Sequence, residues 1–289
     1  MKKDVCFMKI AYVTDSGTGR SISELAADGI ISVPLQITDG NDTYQDLETI
    51  DRNTCIELVD QGHVLKTSQP SAGLIEECFE SLKEQGTDLI IAVPICNGLS
   101  GTISTMTAIA QSLDMKIICI DTYVTSELQN YLIHRIKQLY EEGKSDMEVK
   151  LITDEIITSC NTLIVPRNLD ALVRGGRLTP LAAGFAKLLR IVPILRINKS
   201  TGGRIDSLAN VRTYRKAAGR ILDIIEEDHP DESYEVYIAH SGCIDMAMDL
   251  YHKMEDRFPN LNIEVVELCN PVAVHTGRDC ICVQYFKAL

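Results

Sequence analysis

Tryptophan is absent from the 289 residues, and aromatic side chains make up only 5% of them. A platform that stacks successive bases of a single strand needs such rings, so that class of function is disfavoured. Positive charge is also scarce: 28 Lys and Arg face 41 Asp and Glu, giving a net charge of −13 and a pI near 4.9. Phosphate backbones repel such a chain, and nucleic acid is not an expected partner. No apolar run approaches the roughly 20 residues of a membrane-spanning helix, so no integral membrane association is expected. Met1-Lys2-Lys3-Asp4 leads into a short apolar stretch without a small-residue cleavage site, and no export signal is read there. No CxxC pair occurs among the ten cysteines, which removes the zinc-knuckle and thioredoxin-like readings. Apart from Cys280-Ile281-Cys282 they are spread singly, as buried thiols of a reducing cytoplasm would be.

What is present is length and alternation. The chain exceeds the roughly 100–200 residues of one ordinary domain, so two are expected. In the first half, β-type runs at residues 9–14, 30–37, 88–95 and 116–120 alternate with helical patterns at 21–28, 52–61, 71–84, 102–113 and 125–140. Repeated βαβ units predict a parallel, doubly wound sheet covered by helices on both faces. From about Asn161 the pattern changes. A short strand ending at Val165, then strands at 192–197 and 204–211 around a Ser200-Thr201-Gly202-Gly203 turn, form an antiparallel hairpin. A helix at 214–227, a strand at 234–240, a helix at 244–257 and strands at 262–268 and 281–286 follow. The expected architecture is α/β over residues 1–165 and a smaller α+β domain with a mixed sheet over 166–289.

In an open parallel sheet, ligands bind at the loops beyond the carboxyl ends of the strands. Three such loops carry hydroxyls or glycine: Thr67-Ser68-Gln69-Pro70-Ser71, Asn97-Gly98-Leu99-Ser100-Gly101-Thr102 and Asp121-Thr122-Tyr123-Val124-Thr125-Ser126. Each precedes a helix, where unpaired N–H groups and the dipole favour an anion. Taken singly, Ser71, Ser100 and Thr125 are ordinary N-caps. Two such loops at one end of a sheet point instead to a site for a carboxylate or phosphate. Asp15-Ser16-Gly17 has the same placement and ranks second, since an Asx-type turn explains it equally. In the second half, Arg174-Gly175-Gly176-Arg177-Leu178 and Asn210-Val211-Arg212-Thr213 offer guanidinium forks suited to such anions, and Val274-His275-Thr276-Gly277 offers an imidazole.

These motifs, with YVTDS near the start, TSQPS at 67–71, GLSGT at 98–102, RGGRL at 174–178, NVRT at 210–213 and HTG at 275–277, make the chain resemble the DegV family of fatty-acid-binding proteins over nearly its whole length. The resemblance implies a Rossmann-like first domain and a long-chain fatty acid in an apolar tunnel between the domains. Its carboxylate would be held by Thr67, Ser100 and His275, with Ser68, Asn97, Gly98, Thr276 and Arg278 as additional pocket residues. Two hydroxyls and an imidazole can meet carboxylate lone pairs without a full buried counter-charge. The resemblance further implies that Arg177 and Arg212 engage a fatty-acid kinase. In that scheme the chain is a cytoplasmic carrier with no cofactor or metal of its own. It departs from the family at Cys96-Asn97, where a serine pair is usual, and at Arg278-Asp279, where the family pattern continues HTGPG. Another class is a hydrolase or phosphotransferase with Ser100 or Ser68 as nucleophile and His275 as base, but GLSGT is not a GxSxG elbow and no acidic orienter for His275 is evident. A third reading, a regulator acting through protein contacts alone, predicts no bound lipid.

Overall fold

The computed structural model describes residues 8–167, 169–185 and 191–289. Residues 1–4 and Cys6, considered above for an export signal and for thiol chemistry, lie outside them.

Strands β1 (Ile10–Asp15), β2 (Ile30–Val33), β6 (Leu89–Val93) and β7 (Ile117–Cys119) form a four-stranded parallel sheet in the order β2-β1-β6-β7. Every residue of β6 is buried because helices cover both faces, which is why its sequence shows no polar alternation. Val13, Ile90 and Ala92 face helices α3 (Ala72–Glu84) and α4 (Thr102–Ser112). Tyr12, Ile91 and Val93 face α5 (Glu127–Glu141), while α1 (Ile22–Ala27) connects β1 to β2.

The expected single strand over 30–37 is two strands. Pro34 has no N–H for a ladder bond, and the chain turns there out of the parallel sheet. It enters a separate antiparallel sheet of order β4-β3-β5, built from β3 (Gln36–Asp39), β4 (Asp42–Gln45) and β5 (Lys66–Ser68). Gly40, at φ 59°, makes the hairpin turn, and α2 (Arg52–Asp60) bridges β4 to β5. The TSQPS segment thus begins on a strand of this small sheet and is not a loop at the end of a parallel strand.

A six-stranded mixed sheet follows in the order β10-β9-β8-β13-β11-β12, from β8 (Asn161–Val165), β9 (Val192–Ile197), β10 (Asp206–Val211), β11 (Tyr234–His240), β12 (Asn262–Glu267) and β13 (Ile281–Lys287). Only β11 and β12 pair in parallel. Strand β8, assigned to the first domain by the expected boundary at Val165, pairs with β13 and β9 and belongs to this second sheet. Helices α9 (Tyr214–Glu227) and α10 (Ile244–Arg257) cover its outer face through Ile221, Ile225, Leu250 and Met254. Helix α6 (Asp146–Ser159), started by a Ser145–Glu148 capping box, is an addition to the elements expected from periodicity. Short helices α7 (Asp170–Gly175), α8 (Pro180–Phe185) and α11 (Asn270–Thr276) complete the α-helices among the described residues.

The inner face of the second sheet shares one core with the first. Ile164, Leu195, Ile197, Cys282 and Phe286 join Tyr12, Ile91 and Val93 through Leu128, Leu132 and Ile136 of α5, which are fully buried. At about 1.5–3 kcal/mol for each such side chain, α5 is the layer that fixes one sheet against the other.

Candidate functional site

Helix α11 brings His275 to this junction. It opens at Asn270-Pro271, with proline in the first turn, where no intrahelical N–H bond is lost. It ends at Gly277, whose φ of 73° a side chain would disfavour. Asn270 Nδ2 donates to Asp46 Oδ1 at 2.9 Å, tying the start of α11 to the turn after β4. His275, in the last turn, then meets β5: Thr67 Oγ1 and His275 Nε2 are 2.7 Å apart.

The other side of the imidazole explains the first glycine of RGGRL. A Cβ on Gly175 would sit 2.5 Å from His275 Nδ1, so only glycine lets α7 approach the ring. Gly176 serves a different purpose, ending α7 in the left-handed region at φ 69°. Arg177 then folds back, its Nε donating to Leu99 O at 3.1 Å and Nη1 to Gly175 O. Burial disfavours the imidazolium and the Arg177 guanidinium repels it, so the His275 pKa falls to about 4. The ring is neutral at pH 7, and positive charge at this site comes from Arg177.

Thr67, Ser68, Ser100, Arg177, His275 and Thr276 line one cavity of about 40 Å³. Its apolar walls at Leu99, Ile205 and Val272 are also walls of a second cavity of about 40 Å³ deeper inside. Ile164, Ile197 and Ala239 line that inner space along the second sheet, with Thr125 and Ser126 opposite. Leu99, Ile205 and Val272 therefore stand between the polar cavity and the inner one that lies along the second sheet. Both cavities are far smaller than the roughly 300–1,000 Å³ of an ordinary ligand pocket, so side chains must part for a long guest. On the outside, Thr67, Arg177 and His275 border an open groove of about 580 Å³, where Lys66, Arg167, Arg174 and Arg278 stand with Asp60 and Asp170.

The remaining residues singled out from the sequence separate into distinct roles. Ser100 Oγ lies 2.9 Å from Thr102 Oγ1, while the Thr276 hydroxyl donates to Val272 O within its own helix. Ser68 Oγ donates to Gln36 Oε1 from an exposed position. Asn97 is exposed and lines neither cavity. Gly98 is packing: a Cβ there would stand 2.0 Å from Gly203 O, and Cys96 Sγ approaches the same carbonyl at 3.7 Å. Arg278 crosses Gly242 to pair with Asp60 and lines the outer groove, away from the inner cavity. Arg212 is exposed between β10 and α9 and lines neither cavity nor groove.

The DTYVTS loop holds the inner cavity instead of the polar end, with Thr125 Oγ1 donating to Gly17 O and Gln129 Oε1. Asp15-Ser16-Gly17 is not open to an anion. Asp15 is fully buried, accepts from Gly17 N, Ile95 N and Gln129 Nε2, and is pushed up to about 6 by desolvation. Ser16 Oγ donates to Asp46, also buried and pushed up to about 6 by desolvation. Gly175 and Gln69 stand in recognised motifs but were given no role of their own, and Asp46 and Asn270 stand outside those motifs. Gln69 accepts from Thr105 and lies 2.8 Å from where a Gly101 Cβ would be, which staples TSQPS to GLSGT. Asn270-Pro271 did carry a local signal, an Asn-Pro pair that favours a turn, with a proline suited to a first helical turn.

A model of the DegV family matches residues 9–288. The chain belongs to the DegV family. A DegV domain-containing protein of Halalkalibacterium halodurans is 28% identical over 281 residues, covering 96% of this chain and 98% of the relative. Among solved structures, a fatty acid binding DegV family protein from Streptococcus agalactiae superimposes with a TM-score of 0.87 at 25% identity, over 97% of this chain and 99% of that one. A DegV family protein from Thermus thermophilus, described by its fatty acid binding, gives 0.84 at 26% identity over 97% and 100%. The parallel sheet followed by a mixed sheet is thus the DegV fold, and among the described residues no helix is long and apolar enough to cross a membrane.

Proposed function

We propose that this DegV-family chain is a cytoplasmic carrier of one long-chain fatty acid. The carboxylate meets Thr67, Ser100 and His275, with Arg177 as the nearby positive charge, and the tail follows Leu99, Ile205 and Val272 between two domains. One observation carries the reading: polar side chains from the small sheet, α4's approach loop and α11 converge on a cavity whose apolar walls continue inward. The fatty acid binding of the S. agalactiae and T. thermophilus proteins supports it. The head group opens onto the basic groove, and a fatty-acid kinase approaches there, meeting Arg177 from the groove side and Arg212 on the flank.

A hydrolase built on Ser100 or Ser68 fits the geometry poorly. His275 Nε2 is paired with Thr67, its Nδ1 faces Gly175, and Ser68 is bonded to Gln36. Solvent extraction and mass spectrometry of the purified protein test the carrier reading. A long-chain fatty acid in stoichiometric amount is expected, and protein that neither contains one nor takes up labelled oleate or palmitate overturns it. Phosphorylation of bound acid by a fatty-acid kinase, lost in Arg212→Ala with lipid binding intact, tests the partner.

A further inference from the structure

Along the second sheet, the lining pair Cys282 and Ile164 is followed by Gln284 and Thr162, whose side-chain polar atoms are engaged elsewhere. Gln284 on β13 and Thr162 on β8 stand opposite each other in register, both buried. Gln284 Oε1 accepts from Leu128 N at 2.7 Å, and its Nε2 donates to Thr125 O at 3.0 Å and Thr162 Oγ1 at 2.8 Å. Glu127, in the first turn of α5, gives both oxygens to Arg20 at 3.3 and 2.9 Å. Gln284, Thr162, Glu127 and Thr125 all line the cavity with side-chain polar atoms held in bonds to the protein.

The path to this point is lined by Leu99, Ile164, Ile197, Ile205, Leu268 and Val272. Such side chains change rotamer without losing a hydrogen bond, so this stretch yields to a tail. Gln284 cannot yield in the same way. Moving it strands Leu128 N and Thr125 O in an apolar interior, and a hydrocarbon offers nothing in exchange.

We infer that the Gln284–Thr162 pair, braced on the amino end of α5, is a stop that sets the longest tail the tunnel admits. The inference rests on the fatty-acid reading above. Each methylene that fits adds about fourfold to affinity, and one that does not fit forfeits that gain. Affinity should therefore climb with chain length and break at one length.

The test is competition among saturated fatty acids of graded length on the full chain, with bound species read by native mass spectrometry. Gln284→Ala moves the break to longer acids. Thr162→Ala, which removes only one of the three bonds and so spares folding, moves it in the same direction by less. Ala239→Leu, which fills the inner cavity, moves it to shorter acids. A break at the same length in Thr162→Ala and in folded Gln284→Ala overturns the stop. No fatty acid bound by the unaltered protein overturns the carrier reading itself, a separate result.

Discussion

Thr67 Oγ1 and His275 Nε2 are 2.7 Å apart, although 208 positions separate them in the chain. The contact joins the small antiparallel sheet to α11, so its geometry depends on how the parts of the molecule are assembled around α5. Because the ring is neutral, the pair is a set of hydrogen-bonding groups and not an ion pair. On the proposed reading, a carboxylate arriving between them would gain directional bonds, and Arg177 would meet its charge.

Removing one hydroxyl isolates that contribution. Hydrogen bonds to a charged group are worth about 1.5–3 kcal/mol, so Thr67→Ala and Ser100→Ala should each weaken fatty-acid affinity by roughly ten- to a hundredfold. Thermal stability should change little, since both side chains are only partly buried. Titration of each variant with a labelled fatty acid checks this, and unchanged affinity in both removes them from the head-group site.

Affinity should also depend on pH through His275. In the free protein its pKa is held down to about 4 by burial and by Arg177. A carboxylate beside the ring favours the charged form and raises the value. Binding then takes up a proton between about pH 4 and that raised value, so affinity increases as pH falls through the raised value toward 4. In His275→Gln the slope should vanish. An equal slope in that variant assigns the dependence to another group.

Gly175 and Gly176 provide a matched pair of substitutions. Gly175→Ala places a methyl 2.5 Å from His275 Nδ1, which must move the ring off Thr67 and lower fatty-acid affinity. Gly176→Ala strains a φ of 69° but meets nothing within 4 Å, so it should cost about 1 kcal/mol of stability with affinity retained. Comparing Tm and affinity in the two variants separates the roles. Equal affinity loss in both denies Gly175 its special place.

The two glycines show where sequence reading stops. RGGRL could be recognised as a turn, because flexibility is a local property. That its first glycine makes room for an imidazole one hundred positions away on another helix has no local signature. That Thr67, Ser100 and His275 line one cavity agrees with what the family resemblance implied, and no local periodicity pointed to it. The pairing of Asp46 with Asn270 had no signal of any kind, since a buried hydrogen bond across 224 positions leaves no periodicity behind. Within the fold, the βαβ alternation and the antiparallel hairpin were plain from apolar runs and turn residues. The small sheet was missed because its strands are only three or four residues long, too short for alternation to register. Pro34 marked the break in the second strand.

Gly98 predicts a purely structural loss. A methyl there would meet Gly203 O at 2.0 Å, and neither backbone can swing aside as a side chain would. Gly98→Ala should lower stability by about 1–3 kcal/mol or more and shift the Ser100 loop. Denaturant unfolding measures the first effect. Stability equal to that of the unaltered chain means the GLSGT loop does not pack on the Gly202-Gly203 turn.

Asp46 predicts a dependence of stability on pH with a definite sign. Desolvation lifts its folded pKa from 3.8 to about 6, against the opposing bonds from Ser16 and Asn270. A raised folded value means the folded state holds the proton more tightly, so the contribution is present in full below 3.8 and is lost as pH rises through 6. The difference amounts to roughly 3 kcal/mol of penalty at pH 7, by the usual 1.4 kcal/mol per unit. Asp15, also lifted to about 6, acts in the same sense as Asp46, while His275 works the other way, its depressed value adding stability as pH rises from about 4 to 6.5, so the whole-protein profile blends these contributions. Asp46→Asn removes only that of Asp46. Its new amide can donate to Asn270 Oδ1, a buried acceptor with no partner among the described residues, if the Asn270 amide turns over. The variant should match the parent near pH 4 and exceed it increasingly toward pH 7, while keeping α11 in place and fatty-acid affinity intact. Parallel Tm profiles would mean that Asp46 is not held protonated by burial. A loss of affinity without loss of stability would mean instead that its charge, and not only its hydrogen bond to Asn270, positions His275.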